Sequence, residues 1–227
     1  MLGESAFGDA ALVAGKDLRL EWRSRVGLSQ VAPFALLILV LFAFALDDQR
    51  GVLQRATAGL FWVVVLLTAL LAVQRSFAAE ASDGARDALR LSALDPAGVF
   101  LGKAAGIAAQ LIAVEVLLFV GVAVLYSTNL SGGLLLSATC LVATVGIAAA
   151  GTLYGALVAG VRGRETLLPL LLLPVVAPVL IGATQSFEAA LGTSTTNGWA
   201  WLGLLGVFAL VYVAFGIIAF GSVLEES

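Results

Sequence analysis

Six long apolar runs within 227 residues constrain this chain more than any other feature, because an apolar helix of about 20 residues spans the ~30 Å hydrocarbon core of a bilayer. They cover residues 31–46, 59–73, 104–126, 134–159, 167–185 and 199–221. The polar stretches between them, such as Asp47-Asp48-Gln49-Arg50 and Val161-Arg162-Gly163-Arg164-Glu165, are too short to fold alone. Charged residues make up 12% of the chain, against the roughly 25% of soluble domains, so no sizeable soluble domain fits. The expected architecture is an all-α integral membrane protein with six transmembrane helices in a single transmembrane domain, residues 1–227.

The distribution of charge predicts the orientation. With a cytoplasmic N-terminus and six alternating spans, Lys16, Arg19, Arg23, Arg25, Arg75, Arg86, Arg90, Lys103, Arg162 and Arg164 fall inside, and only Arg50 and Arg55 outside. Basic residues near span ends set orientation and acids contribute little, so both termini are expected in the cytoplasm despite a net charge of -3. No basic region precedes an apolar core within residues 1–15, so no cleavable signal peptide is expected. Across residues 10–30, Leu18, Trp22 and Val26 recur at four-residue spacing among charged residues, the pattern of an amphipathic helix lying at the membrane interface. Such a helix serves as an anchor, or as an elbow that also touches a cytoplasmic partner.

The longest polar segment joins the second and third runs. Asp83 with Arg86 and Asp87 with Arg90 stand three apart, which favours a short solvated helix. Asp95 before Pro96 has the form of an N-cap followed by a first helical residue. A charged helix there is shaped to receive force from a cytoplasmic protein, or is a solvated connector.

Within the apolar runs, small residues, prolines and one acid stand out. Gly151 and Gly155 form a GxxxG pair, which lets helix backbones approach closely in lipid. Pro169, Pro174 and Pro178 crowd the fifth run; each lacks an amide hydrogen, so the carbonyls of Glu165, Leu170 and Pro174 lose their usual partners and the helix is expected to bend. Glu115 lies twelve residues beyond Lys103, hence about 18 Å further along a helix and near the bilayer centre. A carboxyl at that depth must be protonated, paired or facing water, as a structural group bonded to a hydroxyl or freed carbonyl or as part of a transport path or subunit contact. Cys140, the single cysteine, reads as a small buried hydrophobe.

Several chemistries are disfavoured. Gly98-Val99-Phe100-Leu101-Gly102-Lys103-Ala104 has neither the spacing nor the final hydroxyl of a phosphate-binding P-loop. Histidine is absent, so HExxH zinc sites, Ser-His-Asp triads and histidyl haem ligation are not available. The basic residues are explained by topology, so no nucleic-acid partner is expected.

In their order and spacing, several strings resemble the haem exporter protein B family, the permeases of the haem-exporter complex in cytochrome c maturation. They are Lys16-Asp17-Leu18-Arg19-Leu20-Glu21-Trp22-Arg23-Ser24-Arg25, Phe42-Ala43-Phe44, Gly59-Leu60-Phe61-Trp62, Arg75-Ser76-Phe77-Ala78-Ala79-Glu80 with Gly84, Leu91-Ser92, Gly102-Lys103, and Leu168-Pro169 onward to Pro178. The resemblance implies a non-catalytic, multi-pass inner-membrane permease of the type-2 ABC exporter kind. ATP would be hydrolysed on a separate ATPase subunit, and haem would be handled by the complex and by a Trp-rich membrane partner, with no cofactor bound directly by this chain. It places the ATPase-coupling candidates in the cytoplasmic segment 75–99, namely Arg75, Phe77, Glu80, Gly84, Arg86, Arg90 and Leu91. A type-2 permease for lipid, polysaccharide or drug, and a non-transporting scaffold for haem-handling partners, are the alternative readings.

Overall fold

The computed structural model describes residues 2–24, 26–46, 50–82, 94–125, 132–161 and 163–226. These residues hold seven helices and no strand: α1 (Leu2–Ser24), α2 (Val26–Ala45), α3 (Arg50–Ser82), α4 (Pro96–Leu125), α5 (Gly133–Val158), α6 (Arg164–Ala190) and α7 (Gly198–Glu226). Helices α3 to α7 are long and apolar enough to cross a membrane. The first expected span is a shorter apolar helix, Ala32–Ala45, within α2.

Most of the helices overrun the apolar runs from which they were read, because backbone hydrogen bonding continues where hydropathy falls. The run at 59–73 is the middle of α3, and the run at 104–126 begins eight residues inside α4. The segment 75–99 is accordingly not one separate element: its first residues close α3 and its last ones open α4, while residues 83–93 lie outside the described residues. The interfacial helix predicted over 10–30 instead starts at Leu2 and ends at Ser24.

Helix α5 sits at the centre. The eight consecutive residues from Gly146 to Leu153 are all buried, so over these two turns neighbours cover every side of the helix. Alanine and glycine at Ala148, Ala149, Ala150 and Gly151 permit that, since only small side chains let neighbouring backbones approach from all directions. Helices α3 and α5 bury 61% of their most apolar 18 residues, whereas α7 buries only 17%. A one-sided apolar helix in lipid needs no polar face, which is why Leu210 and Ile218 of α7 stand exposed.

Glycine sets the distances between the packed helices. A methyl at Gly151 would lie 2.7 Å from Val73 Cγ2, and one at Gly155 2.5 Å from the Phe77 ring, so this pair receives α3. A second row, Gly98, Gly102 and Gly106 on α4, receives α1: a methyl at Gly102 would lie 2.6 Å from Val13 Cβ and 2.7 Å from the Ala10 carbonyl oxygen. The face of α1 that docks therefore runs through Ala6, Ala10, Val13 and Asp17. Leu18, read as part of the apolar face of an interfacial helix, is exposed and off this docking face; the side chains of Trp22 and Val26 lie outside the described residues. Further along, Phe61, Phe119 and Phe187 join α3, α4 and α6 through ring centroids 4.8–5.7 Å apart.

Pro169, Pro174 and Pro178 all lie inside the continuous helix α6. A side chain of α3 supplies the hydrogen bond that Pro169 removes from the Glu165 carbonyl.

Candidate coupling site

Helix ends bearing Arg75, Lys103 and Arg164 meet at one end of the bundle. The C-terminal turns of α3 lie beside the first turns of α4, the last turns of α5 and the start of α6. Asp95 acts there as the sequence predicted: its Oδ1 accepts from the Ala97 amide at 3.0 Å and caps α4. Its own amide donates to Asp9 Oδ2 of α1 at 3.0 Å, so the same residue ties the elbow helix to the start of α4.

Lys103 is at the centre of this end. Its side chain is 1% exposed, and Nζ lies 3.6 Å from Asp17 Oδ2. Nζ also donates to Ser76 Oγ at 3.2 Å and stands 4.7 Å from the centre of the Phe77 ring. Removing an ammonium from water costs several kcal/mol, which a carboxylate, a hydroxyl and an aromatic face together offset. Asp17 is shared, since its Oδ1 lies 3.2 Å from Lys16 Nζ. One buried cation thus joins α1, α3 and α4 at the foot of the segment that leaves α3. From the sequence, Lys103 stands as a basic residue on the inner side and as part of the Gly102-Lys103 string. Nothing local in Gly102-Lys103 indicates a partner 86 positions earlier in the chain.

The second link crosses to the proline-bearing helix. Gln74 Nε2 donates to the Glu165 carbonyl at 3.2 Å. That carbonyl is the one left without its helical donor by Pro169, so the side chain of α3 replaces the missing amide of α6. Gln74 immediately precedes Arg75. The end of α3 therefore holds α4 and α1 through Ser76 and Phe77, and α6 through Gln74.

Of the coupling candidates, Arg75 and Phe77 lie in this cluster, Phe77 buried against Gly155. Glu80 is described in its backbone only, as part of α3, and Gly84, Arg86, Arg90 and Leu91 lie outside the described residues.

Glu115 is buried and away from this end. Its Oε1 accepts from Thr144 Oγ1 of α5 at 2.5 Å. Of the two structural partners the sequence offered, a hydroxyl or a carbonyl freed in α6, the packing of α5 against α4 supplies the hydroxyl. A cluster of three or more histidine, cysteine or acidic side chains able to hold a metal is absent among the described residues.

Five long apolar helices packed against one another through glycine define a multi-pass helical membrane protein. Comparison with known proteins narrows the class. The profile of the family described as CcmB protein matches residues 9–227, and the chain belongs to that family. It is 29% identical over 219 residues to heme exporter protein B of Pseudomonas aeruginosa, covering 92% of this chain and 94% of that one. It is 29% identical over 214 residues to the protein of the same name in Paracoccus denitrificans, covering 90% and 94%. To the one in Haemophilus influenzae it is 31% identical over 208 residues, covering 90% and 93%. Three of the strings that carried the resemblance, Lys16-Asp17, Ser76-Phe77 and Gly102-Lys103, come from three different helices and converge on the buried cation.

Proposed function

We infer that this chain is the membrane permease of a haem-export complex acting in cytochrome c maturation. The observation that carries this reading is the end-to-end match to proteins named heme exporter protein B, which leaves little of either chain uncovered. In this reading Ala32–Ala45 completes a sixth span, the arrangement is that of a type-2 ABC exporter permease, and the chain resides in the inner membrane with both termini cytoplasmic. It is not itself an enzyme. A separate cytoplasmic ATPase supplies the energy, docking on the segment 75–94, and a Trp-rich membrane partner handles haem, which is cargo of the complex.

The contacts at the end of α3 support a mechanism for this reading. A push on residues 75–94 is applied to helix α3, whose Ser76 and Phe77 contact Lys103, and Lys103 in turn holds Asp17 of α1. Gln74 carries the same displacement to the start of α6, whose three prolines leave it short of internal hydrogen bonds and so easier to flex. Charge reversal of Arg86 and Arg90 together is expected to weaken ATPase association by roughly tenfold or more, since like charges set across an interface cost several kcal/mol. The altered chain still inserts, because neither residue lies in a span. Cysteines at Ala85 and Ala88 should cross-link to the ATPase in the assembled complex. An assembled complex in which no position of this segment cross-links would sink the docking assignment.

Glu115 offers a second test. Gln preserves its size and an acceptor for Thr144 but cannot ionise. Glu115→Gln is expected to insert and assemble normally while lowering the yield of mature cytochrome c in a complementation assay. Glu115→Leu should be worse, because it also strands the Thr144 hydroxyl. Full complementation by both variants would leave Glu115 a packing role only.

A further inference from the structure

A cavity of about 230 Å³ opens at the charged end between α3, α5 and α6. Its floor is apolar, with Phe77, Gly155, Val158 and Leu168 buried, and Arg75, Arg164 and Glu165 line its mouth. Positive-inside topology accounts for arginines on this side of the membrane. It does not account for two of them, from different helices, lining one apolar hollow. The first turn of α6 adds to the positive potential, because its N-cap is Gly163, which offers no side-chain acceptor to the leading amides.

On one side the cavity is bounded by Leu71, and this residue begins a row. Leu71, Leu67 and Val63 lie four apart on one face of α3, and all three are exposed. From Leu71 to Val63 the row extends about 12 Å along the helix, away from the arginines and towards the middle of the membrane. An anionic headgroup at the mouth and a hydrocarbon chain along the row match this sequence of surfaces. Basic pockets between transmembrane helices at the cytoplasmic side have the electrostatics to hold anionic lipid headgroups.

We propose that this cavity binds an anionic phospholipid, its phosphate at Arg75 and Arg164 and one acyl chain laid along Leu71, Leu67 and Val63. The bound lipid would bridge α3 and α6 beside the Gln74 to Glu165 hydrogen bond, so lipid charge would stiffen the joint between the coupling segment and the proline-bearing helix. Glu165 opposes the phosphate and sets the affinity below its maximum.

The full-length protein, reconstituted in nanodiscs, can be photolabelled with phosphatidylglycerol carrying a diazirine on one acyl chain, with the equivalent phosphatidylcholine as the comparison. The phosphatidylglycerol probe is expected to label peptides spanning 60–78 several-fold more than the phosphatidylcholine probe. Each arginine replaced by Gln should lower that labelling about fivefold and the pair roughly thirtyfold, given the energy of one basic residue near an anionic lipid surface. Arg75→Lys with Arg164→Lys should keep most of it, and Glu165→Gln should raise it. Should the double Gln variant fail to fold, the increase in Glu165→Gln remains a test of the same charge logic.

Equal labelling by the two probes would overturn the proposal, as would labelling indifferent to Arg75, Arg164 and Glu165. Displacement by millimolar inorganic phosphate would make the cavity a site for free anions instead of lipid. Loss of labelling on assembly with a cytoplasmic partner would assign the arginines to a protein contact and overturn it as well.

Discussion

Asp17→Asn is expected to be the most damaging single substitution at the charged end, lowering stability by about 3 kcal/mol or more, because it leaves a buried ammonium without this carboxylate. Lys103→Met should cost less, although it removes the same ion pair. Asp17 is 13% exposed and retains Lys16 at 3.2 Å, so its charge stays partly solvated and partly paired. Lys103, 1% exposed, has no comparable access to water. The double variant Asp17→Asn with Lys103→Met should recover most of the loss, because no charge is then stranded. Thermal midpoints of the purified protein in one detergent would rank the four proteins. Equal losses from the two single variants, or additive losses in the double one, would show that the pair is not what holds α1 on α4. If α1 is held this way, the double variant should fold yet transmit poorly from α3 to α1, separating stability from output.

Gly155→Leu is expected to have the second largest effect. Its side chain would enter space filled by the Phe77 ring, 2.5 Å from the added Cβ, and by Val73 Cγ1 at 2.7 Å. Overpacking of a close-packed interior costs about 1–3 kcal/mol and sometimes more, and here the pressure falls on α3 at the foot of the coupling segment. Gly206→Leu supplies the control: nothing lies within 4 Å of an added Cβ there, so the side chain enters open space that the membrane fills. The first variant should lose ATPase association together with thermal stability, and the second should keep both. A Gly155→Leu protein indistinguishable from Gly206→Leu would mean that α3 and α5 do not depend on this close approach.

Much of the architecture was legible because it is local. Hydropathy located helices α3 to α7 to within their flanks, and Asp95-Pro96 predicted the start of α4, since a cap needs only the next few amides. Gly151 and Gly155 were recognisable as a packing face because glycine in a lipid-embedded helix has few other uses. Harder to read was the equivalent row on α4, Gly98, Gly102 and Gly106, because it lies at the charged edge of an apolar run, and its partner α1 read as a helix lying at the membrane interface.

Partners were the part that the chain order hid. Apolar helices surrounded by lipid or by one another show residues of similar character all round, so no stripe announces which face meets which neighbour. Whether Glu115 meets a proline-freed carbonyl on α6 or a threonine on α5 depends on helix rotation and order in the bundle, and the bundle chose Thr144. The proline rule did identify the Glu165 carbonyl as needing a donor, because that deficit is written in residues 165 and 169 alone. That Gln74 supplies the donor, and that Lys103 is buried against Asp17 and not emergent at the membrane surface, required the tertiary structure. The sequence by itself determined the solvent each segment would accept and the local deficits each helix would carry; only the packing of helices far apart in the chain decided which side chain met each deficit, because hydrogen bonds and ion pairs in a membrane interior form with whatever close packing brings within about 3 Å.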